Sequence, residues 1–463
     1  MNAAAPIHLP IRLSTLLRLA GPVVLSRIGI MMMGLVDTVV VGRHSGVELG
    51  YLAIAWAPTG VVLTTSIGLL AGIQVQTAQA IGEGRRVETG AVLRRGIVYA
   101  TIIGIVAALL LAGFGPWLLG HSGVSADLAA GAAPVLVMLS LSLIPILIGD
   151  AGVFWLEAHG RAVPGAVVMW LSNGINLALN LWLVPGNSGF AVEGALATGW
   201  ATLISRIAFL VMVGAAILLW HEARSLGVLA RTPKDTVASR RMRRIGYAAA
   251  LSYFIEAGAF QSMTIVAGWI GATAVAAWAI TVNAAALIFM LPLGLATATG
   301  VLVGRAHGAG DRVGIRRAGM LGFGTTLGVL LVVCAVVGFG SGLIAAGYAT
   351  DPAVQRLAAA ALLLSCLFYV ADGLQVVAAQ SLRAQNDIWV PTAIHFVSYL
   401  LVMMPLCYGL AIPLGLGVNG IVWGVIAASL VSAVLLGGRF WWKSSPGGGG
   451  LRRALPQPGS AGG

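Results

Sequence analysis

Twelve long apolar runs, separated by short segments that carry Gly, Pro or charge, fill nearly all of this chain of 463 residues. They are 15–41, 51–80, 92–119, 129–155, 163–185, 191–220, 245–270, 275–303, 318–348, 354–382, 389–412 and 416–438. A helix needs roughly 20 apolar residues to cross a bilayer, so each run is long enough, and several have length to spare for tilt. Only 9% of the residues are charged, against roughly 25% in soluble globular chains. Disorder is excluded by the same figure, and the short alternating strands of a transmembrane β-barrel are absent. The sequence therefore predicts an all-α polytopic membrane protein with twelve spans.

Basic residues set the topology. Of the 27 Lys and Arg, all but Arg43, Arg356, Arg27 and Arg206 fall in the termini or in alternate loops. The richest loops hold Arg85, Arg86, Arg94 and Arg95; Arg224, Arg231, Lys234, Arg240, Arg241, Arg243 and Arg244; and Arg305, Arg312, Arg316 and Arg317. The positive-inside rule makes that side cytoplasmic, with both termini inside. The net charge of +12 is then explained by anionic lipid headgroups, and nucleic acid is not implied as a partner. The first run continues past signal-peptide length without a small-residue cleavage site, which predicts a retained span. Cys334, Cys366 and Cys407 lie in apolar runs without CxxC spacing and read as small buried hydrophobes.

The chain repeats itself at an offset of 226 residues. Gly82-Glu83-Gly84-Arg85-Arg86-Val87 matches Gly308-Ala309-Gly310-Asp311-Arg312-Val313, Gly68-Leu69 matches Gly294-Leu295, and Leu25-Ser26 matches Leu251-Ser252. Val163-Pro164 meets Val390-Pro391 one residue later. Six spans per copy give the copies the same orientation, so they form parallel repeats about an axis along the membrane normal. The expected organisation is a cytoplasmic tail 1–14, an N-lobe 15–220, a basic linker 221–244, a C-lobe 245–438 and a tail 439–463, its Gly- and Pro-rich end disordered.

Only 15 acidic residues exist, and a charge at the bilayer centre costs at least ~2.5 kcal/mol. Asp37 in span 1, Glu256 in span 7 and Asp372 in span 10 are therefore candidate ion or proton sites. Asn173, Asn176 and Asn180 share one face of span 5. With Thr202 they can complete around Asp37 the hard-oxygen cage a small cation such as Na⁺ prefers, or serve as interhelical hydrogen bonds. In the second half, Asn283 and Tyr369 are placed to approach Glu256 and Asp372. Asp150 has no counterpart in the repeat. Glu157 and Asp387 read as solvated or capping residues at span ends, Arg27 as a snorkelling residue, and His395 as a satisfied interior histidine. Buried acids outnumbering bases predict an electronegative interior and a cationic cargo.

Several stretches together resemble the multidrug and toxic compound extrusion (MATE) transporters, in particular the NorM-like branch. They are Ala20-Gly21-Pro22 with Leu35-Val36-Asp37-Thr38-Val39-Val40-Val41-Gly42-Arg43, Asn176-Leu177-Ala178-Leu179-Asn180, Pro292-Leu293-Gly294-Leu295 with Val303-Gly304-Arg305, and Asp372-Gly373-Leu374-Gln375 with Ser381-Leu382-Arg383. The resemblance implies two six-helix lobes around a V-shaped cavity and antiport of small organic cations against Na⁺ or H⁺, without a cofactor. It implies a C-lobe acidic pair, Glu256 with Asp372, and an N-lobe cation site of Asp37 with Asn180, Asn176 and Thr202. Location in the plasma (inner) membrane and function as a monomer are expected. Loop 82–88 lacks the G-x-x-x-D-R-x-G-R-R pattern of major facilitators. No HExxH, GxSxG or GxxxxGK[ST] motif occurs, so neither an enzyme nor an ATP-driven pump is implied. The remaining alternatives are a lipid-linked precursor flippase of the same superfamily, which would need a basic cavity, and a narrow-substrate exporter.

Overall fold

The computed structural model describes residues 11–121, 125–230 and 235–445. Twelve long helices account for nearly all of them: α1 Leu13–His44, α2 Gly46–Gly82, α3 Thr89–His121, α4 Ala126–Ala158, α5 Ala162–Leu183, α6 Gly194–Leu218, α7 Thr236–Ile270, α8 Ala272–Gly308, α9 Arg312–Tyr348, α10 Pro352–Ala384, α11 Trp389–Ala411 and α12 Gly417–Ser444. Each coincides with most of one of the twelve apolar runs. Eleven are long and apolar enough to cross a membrane. The exception is α7, whose first turns carry Arg240, Arg241, Arg243 and Arg244 and whose interior carries Glu256 and Gln261. The boundaries follow local chemistry. Ser45, Asp235, Asp311 and Asp351 each accept a backbone N–H bond at a helix start, as N-caps do.

The repeat is visible in the backbone. α2 and α8 have 37 residues each, and α4 and α10 have 33 each. Both pairs start and end at the 226-residue offset. α1 to α6 form one lobe and α7 to α12 the other. The final helix of the C-lobe runs on through the start of the expected tail, to Ser444. Of the expected linker, 231–234 lie outside the described residues, as do 1–10 and 446–463 of the tails. Its first part packs on α3, where Ala223, Leu226 and Val228 are buried and Gly90 N donates to Leu226 O at 2.9 Å. Its last part, from Thr236, is the start of α7.

The lobes meet along only half of their length. α2 is continuously buried from Leu70 to Gly82, and α8 is mostly buried from Pro292 to Ala306, whereas the other halves of both helices are only intermittently buried. The contact is built on glycine, because helix backbones approach this closely only where no Cβ intervenes. A Cβ on Gly68 would lie 2.7 Å from the Ala250 Cα, and one on Gly294 would lie 3.0 Å from the Val24 Cα. Val24 and Ala250 are themselves one repeat offset apart. Likewise Gly82 lies against the Arg305 carbonyl and Gly308 against the Gln79 carbonyl. Cross-lobe hydrogen bonds fasten the same end: Gln79 Nε2 donates to Ala384 O at 2.8 Å, Arg241 to Gln79 Oε1 at 2.8 Å, and Gln76 Nε2 to Ala238 O at 2.9 Å. This closed end carries the basic loops. The lobes part toward the opposite end and form a V.

Candidate functional site

Each lobe encloses a cluster of polar side chains around the carboxyls singled out in the sequence. In the N-lobe, Asp37 on α1 is fully buried and two helices supply its partners. Asn180 on α5 donates to Asp37 Oδ1 at 2.8 Å, and Thr202 on α6 donates to Oδ2 at 2.9 Å. Asn180 Nδ2 also reaches Asn176 Oδ1 at 3.2 Å, while Thr198 donates to Asn180 Oδ1 at 2.8 Å. Asp37, Asn176, Asn180 and Thr202 therefore come together as the sequence predicts. Thr198, one turn before Thr202 on α6, is an additional member. Asn173 is not part of the cluster. Its amide donates to Gly29 O at 3.0 Å and Met169 O at 2.9 Å and tethers α5 to α1.

In the C-lobe, Glu256 on α7 faces Asp372 on α10. The two carboxyls share their donors. Tyr399 OH lies 3.1 Å from Glu256 Oε1 and 3.2 Å from Asp372 Oδ1, and Gln375 Nε2 lies 3.2 Å and 3.3 Å from the same oxygens. His395 Nε2 meets Gln375 Oε1 at 2.9 Å and orients that amide. A hydroxyl carries one proton, so Tyr399 can donate to only one carboxyl at a time. Two carboxyls this close do not both ionise without a counter-charge. The arrangement suits one bound proton or one small cation between them.

Two expected members stand apart. Tyr369 is buried, but its ring packs on Phe368 and its hydroxyl has no hydrogen-bond partner among the described residues. Asn283 is exposed and turns its amide back to Ala279 O of its own helix at 2.9 Å. The places expected for them are taken by Gln375 and Tyr399. Gln375 follows Asp372 by three residues, hence on the same helix face. Tyr399 is brought in by a π-helical stretch, Phe396–Met403, in α11. Pro405 explains the stretch: its ring clashes with the carbonyl four residues earlier and widens the turn. π-Bulges are frequent at functional sites, so Pro405 inside span 11 was the signal for Tyr399.

Other polar residues depart from expectation. Arg27 does not snorkel: it is 6% exposed and pairs with Glu157 Oε1 at 3.3 Å, while Gln74 donates to Glu157 Oε2 at 2.8 Å. Glu157, 2% exposed, is thus neither solvated nor capping. Asp387 is also buried, against Arg439 at 2.8 Å and Lys443 at 3.5 Å. Arg206 is buried, donates to Ser142 Oγ at 2.7 Å and lies over the Trp56 ring. Arg383 is buried over the Tyr253 ring, 5.4 Å from its centroid. These three guanidiniums offset much of the buried negative charge, so the interior is less electronegative than the acids alone imply. No cluster of three or more metal-ligating His, Cys, Asp or Glu occurs among the described residues. A cation held here would rest on one or two carboxylates with amide and hydroxyl oxygens.

Two parallel six-helix lobes, parted at one end and each enclosing buried carboxyls, are the architecture of a polytopic membrane transporter. The family model MatE matches the chain twice, at residues 22–182 and 248–409, once in each lobe. A probable multidrug resistance protein NorM of Caulobacter vibrioides is 49% identical over 426 residues, covering 92% of this chain and 90% of that protein. One of Deinococcus radiodurans is 32% identical over 464 residues, covering 94% and 97%. Among solved structures, an outward-facing multidrug resistance MATE family transporter superposes with a TM-score of 0.85 at 18% identity, covering 93% of this chain and 96% of that one. A eukaryotic MATE transporter gives 0.83 at 19% identity, covering 92% and 94%. The chain belongs to the MATE family.

Proposed function

We propose that this protein exports small organic cations from the cell in exchange for Na⁺ or H⁺, by alternating access across the plasma (inner) membrane. The NorM relatives are named as probable multidrug resistance proteins, which supports drug efflux as the physiological direction. The observation that carries the antiport reading is the Glu256–Asp372 pair with its shared donors Tyr399 and Gln375. One cation there neutralises the charge that would otherwise hold a cationic drug, so ion and drug compete. A ligand shifts a two-state protein only by its differential affinity for the two states, and competition at buried carboxyls supplies that difference. The Asp37 cluster, with Asn176, Asn180 and Thr202, is a second binding place for the coupling ion.

With the basic end cytoplasmic, both termini are inside and the conformation described is open to the outside. The glycine contacts of Gly82 and Gly308 then form the cytoplasmic seal, and the cycle must break and remake it. The working unit is a monomer, because each chain contains both lobes.

The test is efflux of a fluorescent organic cation from proteoliposomes, under an inward Na⁺ gradient at equal pH or an inward H⁺ gradient without Na⁺. Efflux driven by one gradient supports the reading and names the ion. Absence of efflux under both, across several cationic dyes, overturns it.

A further inference from the structure

Two helices at the basic end finish in the same way. α4 ends at Ala158 and α10 at Ala384, one repeat offset of 226 residues apart. Just past each end one residue enters the left-handed region, Gly160 at φ 82° and Asn386 at φ 60°, where glycine and asparagine fit best. The turn lets Gly160 N donate to Glu157 O and Arg161 N to Leu156 O, both at 2.9 Å. Asn386 N and Asp387 N donate in the same pattern to Arg383 O and Leu382 O, both at 3.0 Å. This Schellman pattern covers carbonyls inside the last turn. It does not reach the carbonyl of the final helical residue, Ala158 or Ala384.

Each of those two carbonyls is met from the other lobe. Arg305 on α8 donates to Ala158 O at 2.5 Å, and Gln79 on α2 donates to Ala384 O at 2.8 Å. Arg305 and Gln79 are themselves one repeat offset apart, so the two bonds are one contact made twice about the same axis. The backbone repeats it, with Gly82 against the Arg305 carbonyl and Gly308 against the Gln79 carbonyl. Each of the two residues thus touches the opposite lobe through its side chain and through its main chain. The donors differ in charge. A guanidinium at a helix C-terminus gains from the helix dipole, and a charge-assisted bond is roughly twice as strong as a neutral one. Gln79, the neutral donor, is held in orientation instead: Arg241 on α7 donates to its Oε1 at 2.8 Å, which turns Nε2 toward Ala384.

We propose that Arg305 and Gln79 are a paired latch, in which each lobe holds the basic end shut by capping the last carbonyl of the other lobe's helix. The caps exist only while the lobes touch there. When the end parts, Ala158 O and Ala384 O lose their donors together, because both bonds cross the same interface. Opening therefore breaks two capping bonds at once. The Arg305 bond, charge-assisted and made to a helix end, is the stronger hold. Water replaces both donors in the open state, so the latch sets a threshold and does not lock the protein. That the latch releases in each transport cycle rests on the antiport reading; that it keeps this end shut does not.

The test is hydrogen–deuterium exchange of the purified full-length protein, read by mass spectrometry in peptides that contain the ends of α4 and α10. In Arg305→Met, exchange at Gly160 and Arg161 and at Asn386 and Asp387 should rise together, by about tenfold, because one lost cap frees the whole end. Gln79→Leu should raise both by a smaller factor. Arg305→Gln should stay close to the unsubstituted protein, since the equivalent position already caps with glutamine. The α1–α2 junction around Ser45, at the opposite end, should not exchange faster in any of them. A rise confined to α4 in Arg305→Met would reduce the contact to a local cap and overturn the latch. So would a rise in Arg305→Gln equal to that in Arg305→Met, or a rise that includes the Ser45 junction. Where Arg305→Met does not fold, Gln79→Leu decides by the same comparison of the two helix ends. Dye efflux by the unsubstituted protein is read separately. Its failure counts against antiport alone and leaves the exchange result standing.

Discussion

The two lobes share one backbone plan and place different chemistry on it. Where the N-lobe has Arg27 paired with Glu157, the C-lobe has Tyr253 beneath Arg383 at the same repeat positions. Where the C-lobe has Glu256 and Asp372, the N-lobe has Ile30 and Ile146. Asn180, a partner of Asp37, corresponds to Cys407, which is buried and donates to Ile421 O. The glycines at the seal, by contrast, keep the same residue type in both copies. Helix lengths and the closed end are thus common property, whereas each lobe builds its polar site independently. The C-lobe site is a carboxyl pair with shared neutral donors. The N-lobe site is a single carboxyl in an amide and hydroxyl cage, with a guanidinium nearby.

The largest effect expected is at the C-lobe pair. Glu256→Gln or Asp372→Asn should reduce gradient-driven efflux to the background of protein-free liposomes, while expression and membrane insertion stay normal. Retained coupling in either variant would remove that residue from the site. Substitution at the shared seal should be nearly as severe. In Gly308→Val the added side chain meets the Gln79 backbone, so the closed end cannot form. Cysteine cross-linking across the basic end should fall with it, and efflux with the cross-linking. The repeat predicts the same for Gly82→Val; an effect at only one of the two would break the symmetry argument.

The ion pair separates the lobes more finely. Glu157→Gln leaves Arg27 uncompensated, and breaking a buried pair costs about 3–5 kcal/mol. Tyr253→Leu removes only a ring beneath Arg383, for about 1–2 kcal/mol. Thermal melting in detergent should rank them in that order. Tyr399→Phe sits between: loss of a hydrogen bond to a charged group is worth about 1.5–3 kcal/mol. Its efflux rate should fall about tenfold, with an altered dependence on the coupling ion, while Tyr369→Phe leaves that dependence unchanged.

The smallest expected effect lies at His159, just beyond α4. Burial against Trp155 and Trp220 lowers its pKa from 6.5 to about 3. The unfolded chain takes up that proton first as pH falls. His159 therefore contributes stability fully above pH 6.5 and progressively less toward about pH 3. A His159→Phe variant should show a flatter pH dependence of melting temperature over that range; an unchanged slope would place the titration elsewhere.

What could be read from the sequence follows the same division. Span number, helix type and the repeat were legible because bilayer thickness and hydrophobicity act on whole segments, and Gly82 with Gly308 carried the offset. Asp37, Asn176, Asn180 and Thr202 were legible because polar residues in apolar helices must find one another. Tyr399 was hidden, since its approach depends on a π-helical turn that moves one face of α11 relative to regular helix spacing. Tyr369 and Asn283 were misplaced for the converse reason: their spans were right, but their faces point elsewhere. Arg27 with Glu157 was missed because each lies near a span end, where a solvated role is equally consistent with sequence alone.

The account stands or falls on competition at the C-lobe pair. Binding of tetraphenylphosphonium to the purified protein should be measured as a function of Na⁺ at fixed pH and of pH without Na⁺, with the Glu256→Gln, Asp372→Asn double variant alongside. The account predicts that one of the two ions weakens binding to the unsubstituted protein and that the double variant loses this dependence. Binding that is insensitive to both ions, or competition that persists without the two carboxyls, would contradict it.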